Sequence, residues 1–70
     1  MKYLIILEKS ETGYSAYSPD LPGCIATGED PESAELNMQE AIEFHLEGMR
    51  QEGLEIPPPV SRVSYYEVSL

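Results

Sequence analysis

Three sets of side chains in this seventy-residue chain are of the types that do chemistry: a single histidine, His45; a single cysteine, Cys24; and the carboxylates Glu8, Glu40 and Glu67, which sit on three different segments. A histidine acting as general base needs a nucleophile or an orienting group within hydrogen-bond reach. At helical spacing His45 falls among Ala41, Ile42 and Met49, so it reads as a packed core or interface residue. A reactive thiolate needs nearby positive charge or a helix N-terminus. Cys24 is surrounded by Leu21, Pro22, Gly23 and Ile25, and it reads as a small buried residue. One cysteine and one histidine exclude an intrachain disulfide and a Cys/His zinc cluster. The three carboxylates would have to converge on a divalent ion to cleave a phosphodiester. Glu8 lies at a strand end and Glu40 on the helix face away from the core, so convergence is not expected. No catalytic residue, metal or cofactor is assigned.

The elements that would carry these residues are legible from periodicity and punctuation. Tyr3, Leu4, Ile5, Ile6 and Leu7 form a continuous apolar run, the pattern of a strand covered on both faces. Glu11-Thr12-Gly13 breaks the chain, and Tyr14-Ser15-Ala16-Tyr17-Ser18 alternates as a second, antiparallel strand. Pro19-Asp20-Leu21-Pro22-Gly23 is too heavily punctuated for regular structure; it serves as a rigid turn or as a recognition loop. Residues 24–27 form a short third strand ended by Gly28. Asp30 is a good N-cap, and Pro31 suits the first helical position. Ala34, Met38, Ala41, Ile42, His45 and Met49 then make one apolar stripe, with Glu32, Glu40, Glu43 and Glu47 opposite. The helix should stop near Gly53. Pro57-Pro58-Pro59 makes a stiff connector, and residues 60–70, rich in Val and Tyr, read as a fourth strand. The expected class is α+β: one β-β-β-α-β domain over residues 1–70, with one sheet and one helix on one of its faces.

A chain this short buries only about 60% of its unfolded surface, and small scaffolds need a staple. With disulfides and zinc excluded, oligomerisation remains. One helix covers one face of the sheet, yet Leu4 and Ile6 point one way and Tyr3, Ile5 and Leu7 the other. These five residues are therefore the expected self-association surface, giving a homodimer or a larger symmetric assembly. Four basic residues against thirteen acidic ones leave a net charge of -9. That argues against nucleic-acid binding, which needs clustered Lys and Arg to neutralise phosphates. It suits a basic protein partner, and it also serves solubility. The N-terminal apolar run is too short for a signal peptide or a membrane span, and a lone thiol without an export signal points to the cytoplasm.

Three blocks of this pattern resemble the HicB-like antitoxins. The first is Tyr14-Ser15-Ala16-Tyr17-Ser18-Pro19-Asp20-Leu21-Pro22-Gly23-Cys24. The second is Gly28 followed by Ala34, Asn37 and Glu40-Ala41-Ile42. The third is Gly53-Leu54-Glu55-Ile56-Pro57-Pro58-Pro59. Together they cover nearly the whole chain in the family's order. The resemblance implies a partial ribonuclease-H-like fold with the fourth strand beside the first and parallel to it. Such nucleases use a carboxylate on the first strand, and this chain has none among Tyr3, Leu4, Ile5, Ile6 and Leu7. The resemblance also implies a non-enzymatic role: binding and neutralising a small basic ribonuclease toxin of the HicA type. Many members add a C-terminal DNA-binding domain. This sequence ends at Leu70, so DNA binding and autoregulation are not expected of it. Asp20, Glu32, Glu40, Glu43 and Glu47 are the expected partner-binding residues. The alternative is a solitary oligomeric domain that binds another protein or a small ligand, without a toxin. A metal-dependent nuclease is the third reading.

Overall fold

The computed structural model describes all seventy residues. It contains β1 (Ile6–Lys9), β2 (Tyr14–Tyr17), β3 (Ile25–Gly28) and α1 (Pro31–Gln51). The strands form one antiparallel sheet in the order β1-β2-β3, and α1 lies across one face. The α+β class and the β-β-β-α order agree with the sequence pattern.

Register explains where each strand begins and ends. Ile6 pairs with Tyr17, Leu7 with Ala16, and Lys9 with Tyr14; Tyr14 pairs in turn with Gly28, Ala16 with Ala26, and Tyr17 with Ile25. The ladder starts at Ile6, three residues later than the apolar run suggests. Its partner strand ends at Tyr17, and Pro19 has no N–H to extend it. Tyr3, Leu4 and Ile5 therefore run on beyond β2. Ser10 N–H donates to the Gly13 carbonyl (2.8 Å) and closes the first turn.

Side chains alternate across the sheet. The row Leu7–Ala16–Ala26 faces the helix, with Tyr3, Ile5 and Tyr14 beside it; these residues pack around buried Ala16, Leu21, Cys24, Ala34 and Met38. The row Ile6–Tyr17–Ile25 lies on the open face, where Ile25 is 69% exposed. Helix and sheet approach very closely at Gly28. A Cβ there would lie 2.8 Å from both Ala34 Cα and Ser33 C, so only glycine permits this contact. Asn37 Nδ2 donates to the Thr27 carbonyl (2.8 Å) across the same seam.

The helix is capped at both ends. Asp30 Oδ1 accepts from Ser33 N–H (2.7 Å) and Ser33 Oγ–H (2.7 Å), and Pro31 occupies the first turn. At the other end Gly53 has φ +73°; Gly53 N–H donates to the Arg50 carbonyl and Leu54 N–H to the Met49 carbonyl. This is a Schellman motif, which uses glycine because it needs a left-handed residue.

The fourth strand is the one element that does not form. Residues 60–70 carry no strand, and no backbone–backbone hydrogen bond involves residues 55–70. Three consecutive prolines have no N–H to offer, and the Ser61 N–H is spent on the Asp20 carboxylate (3.0 Å). The Ser61 hydroxyl donates to the same carboxylate (2.9 Å). Beyond this anchor the arm passes alongside residues 4–7 without entering the ladder. High β-propensity specifies an extended chain, but a strand also needs a partner edge.

Candidate protein-binding face

The outer face of α1 combines charge with an exposed aromatic. Glu32, Leu36, Glu40 and Phe44 recur every fourth residue and so stand in one row, about 18 Å long at 1.5 Å per residue. Glu43 and Glu47 flank that row. All six are exposed, and Phe44 is 83% exposed. Aromatic side chains are enriched at the centres of protein interfaces, where they act as anchors. The only cation on the helix is Arg50, which pairs with Glu47 (3.2 Å). Gln51 Nε2 donates to the other Glu47 oxygen (3.5 Å). Both partners of the ion pair are well exposed, so it contributes at most about 1 kcal/mol and is easily exchanged.

Phe44 also rims a groove of about 430 Å³ between the helix and the Pro19-Asp20-Leu21-Pro22-Gly23 loop. His45, Gly48 and Met49 form the helical wall, Gly23 and Cys24 the loop wall, and Leu54 closes one end. Gly48 leaves its stretch of wall bare, since a Cβ there would meet nothing within 4 Å. His45 is half-buried in the apolar stripe, as its spacing suggests. Cys24 is buried, and desolvation pushes its thiol up, away from the reactive thiolate.

The expected partner-binding residues thus fall into two groups. Glu32, Glu40, Glu43 and Glu47 share one exposed surface. Asp20 is turned elsewhere, holding Ser61 from within a loop whose Leu21 is fully buried. The loop is thereby a core plug and an arm anchor. Leu21 N–H donates to Ser18 and Cys24 N–H to Leu21, two consecutive turns that drive Leu21 inward. Sequence reasoning missed Leu36 and Phe44. Their signal was positional: both lie off the apolar stripe, on the acidic side of the helical wheel. Glu8, Glu40 and Glu67 are not brought together, and no three His, Cys, Asp or Glu side chains are placed to hold a metal ion. No helix is long and apolar enough to cross a membrane.

Comparison with known proteins gives these features a context. Residues 3–69 match the model of the HicB-like antitoxins of bacterial toxin-antitoxin systems. The chain is 46% identical over 57 residues to a 14.9 kDa protein of Haemophilus phage HP1, from the rep-hol intergenic region; the match covers 81% of this chain and 43% of the phage protein. The chain thus spans less than half the length of that relative. It is 38% identical over 58 residues to a UPF0150 protein of Thermoplasma acidophilum, covering 81% of this chain and 84% of that one. Among solved structures, a chain of a HicA3 and HicB3 toxin-antitoxin complex superposes with a TM-score of 0.73 at 33% identity, over 84% of this chain and 70% of that one.

Proposed function

The chain belongs to the HicB-like antitoxin family of bacterial toxin-antitoxin systems, and from that premise we propose that it binds a small basic ribonuclease toxin of the HicA type and holds it inactive. The observation that carries this reading is the outer face of α1, where Phe44 stands exposed among Glu32, Glu40, Glu43 and Glu47. A solved relative taken from a toxin-antitoxin complex supports it.

The chemistry of the face suits such a partner. Carboxylates on a rigid helix steer a cationic protein toward the surface and fix its orientation. Phe44 supplies the apolar anchor that charge alone lacks; a desolvated aromatic anchor contributes about 2 kcal/mol or more, near thirtyfold in affinity. The groove beside it, walled by His45, Gly48 and Met49, can receive a side chain of the partner. Inhibition in this reading is steric and electrostatic: the antitoxin supplies negative charge where the toxin would otherwise hold RNA phosphates. The chain acts as a binder and performs no bond-breaking step.

The test is co-purification with a small basic protein encoded beside this chain, followed by titration at two salt concentrations. Binding is expected to weaken with salt, and E43K/E47K and F44A should each weaken it at least about tenfold. A proven complex that ignores all three substitutions would remove the helix face from the proposal.

A further inference from the structure

The groove between α1 and the Pro19-Asp20-Leu21-Pro22-Gly23 loop suits one kind of guest, and we propose that it receives an arginine side chain from the surface of the basic partner. The guanidinium meets the Glu52 carboxylate at the end of α1, and the stem lies between Phe44 and Met49. The partner's identity rests on the toxin-binding reading; the preference for arginine belongs to this chain's own residues.

Gly48 is the first reason. Of the five glycines, four are required by the fold: a Cβ at Gly13 or Gly28 would collide with backbone, and Gly23 and Gly53 have φ of +84° and +73°. Gly48 has neither constraint. It lies in the last turn of α1, its φ is not positive, and a Cβ there would meet nothing within 4 Å. Glycine weakens a helix relative to alanine, so the fold gains nothing from it. The glycine leaves a bare stretch of wall in a groove of about 430 Å³, where a guest can lie against the helix backbone. Pockets for small ligands run from about 300 to 1,000 Å³, so the groove has room for one long side chain and none for a folded segment.

The lining decides the chemistry of that side chain. Ala41, Phe44, Met49 and Leu54 offer apolar contact along a stem. Glu52 is the only carboxylate in the lining, and it makes no ion pair, since the single salt bridge of the chain joins Arg50 to Glu47. None of the four basic residues, Lys2, Lys9, Arg50 and Arg62, lines the groove. Gly48, Met49 and Glu52 belong to the C-terminal end of α1, where the helix dipole is negative and favours a cation. Arg50, the basic residue of that turn, serves the other flank, where it lines a separate hollow with Leu46 and Glu47. A cationic guest is thus drawn to the end of the groove twice, by the dipole and by Glu52. Arginine fits better than lysine, because its planar guanidinium can stack on the exposed Phe44 ring while it forks onto a carboxylate.

The experiment uses the full chain and two probes. In NMR titrations, arginine blocked at both ends as amides should shift the backbone amides of Cys24, Gly48 and Glu52. The blocked norleucine analogue, which has the stem without the charge, should bind about tenfold more weakly. G48L fills the groove with a good helix former, and E52Q keeps the shape and removes the charge; each should remove most of the arginine shift with the helical circular dichroism kept. With a HicA-type toxin as the second probe, G48L and E52Q should each weaken binding about tenfold. No arginine shift, equal binding of arginine and norleucine, or toxin binding that falls with E43K/E47K but ignores G48L and E52Q overturns the arginine site. Toxin binding that fails altogether while the arginine shifts stand removes the toxin reading and leaves the groove's preference in place. Should G48L fail to fold, E52Q decides alone.

Discussion

Replacing Gly28 by alanine should lift the helix off the sheet, and the size of the effect follows from the seam. The added Cβ would sit 2.8 Å from Ala34 Cα and 2.8 Å from Ser33 C. Ordinary carbon contacts lie near 3.5–4.0 Å, so the first turn of the helix must retreat by about 1 Å. These are backbone atoms and cannot rotate away. Retreat would stretch the Asn37–Thr27 hydrogen bond from 2.8 Å beyond bonding range and loosen Ala34, which is fully buried. Overpacking costs about 1–3 kcal/mol and the hydrogen bond about 1 kcal/mol, together about 2–4 kcal/mol. A domain of this length has a total stability on the order of 4–10 kcal/mol, so the variant should be marginal. Urea denaturation followed by helical circular dichroism measures this directly. Gly48→Ala is the matched control: its Cβ meets nothing within 4 Å and its position is helical, in the last turn of α1, so it should gain up to about 0.5–1 kcal/mol. A G28A midpoint equal to the parent's, or a G48A loss of similar size, would refute the close-approach account.

Other expectations concern single groups. The Ser18 hydroxyl is buried without a hydrogen-bond partner, so S18A should leave stability unchanged or raise it by about 1 kcal/mol in the same denaturation assay. Hydrogen bonds from Ser33 hold the Asp30 carboxyl below its usual range. The folded state thus binds that proton less readily than the unfolded chain, and the contribution is complete above about pH 3.9 and lost as pH falls through the lower folded value. D30A should flatten that part of the acid-unfolding curve. The buried Cys24 thiol should react with a disulfide reagent at pH 8 far more slowly in the folded protein than in denaturant. D20A should free residues 61–64 and lower their amide order parameters, with the helix signal unchanged.

The helix and the chain's turns could be read from sequence because their signals are local. Asp30 and Pro31 mark one end, Gly53 the other, and the three-four spacing of Ala34, Met38, Ala41 and Ile42 sets the buried side. The first strand was displaced because its extent is decided by a partner: Tyr17 is the last residue β2 can offer, so the ladder begins at Ile6. The fourth strand has the composition of a strand, but composition cannot supply the edge it needs. Leu21 was hidden inside a punctuated loop, and only the two successive turns around it show why it is buried. Asp20 stands out in sequence by its charge, whereas its hydrogen bonds to Ser61, forty-one residues away, have no local signal. Phe44 and Leu36 lie off the apolar stripe, and residue type alone does not separate core from surface. Their places on the wheel, between the glutamates, put them in solvent.

The central claim is that the acidic, aromatic-bearing helix face inhibits a basic ribonuclease, and an RNA-cleavage titration tests it most directly. A HicA-type toxin is assayed against RNA with increasing amounts of this chain, parent or E43K/F44A/E47K. The account predicts that cleavage stops near one parent chain per toxin and persists at the same ratio with the variant, whose fold is verified by circular dichroism. Equal inhibition by parent and variant, or no inhibition by a well-folded parent, would contradict it.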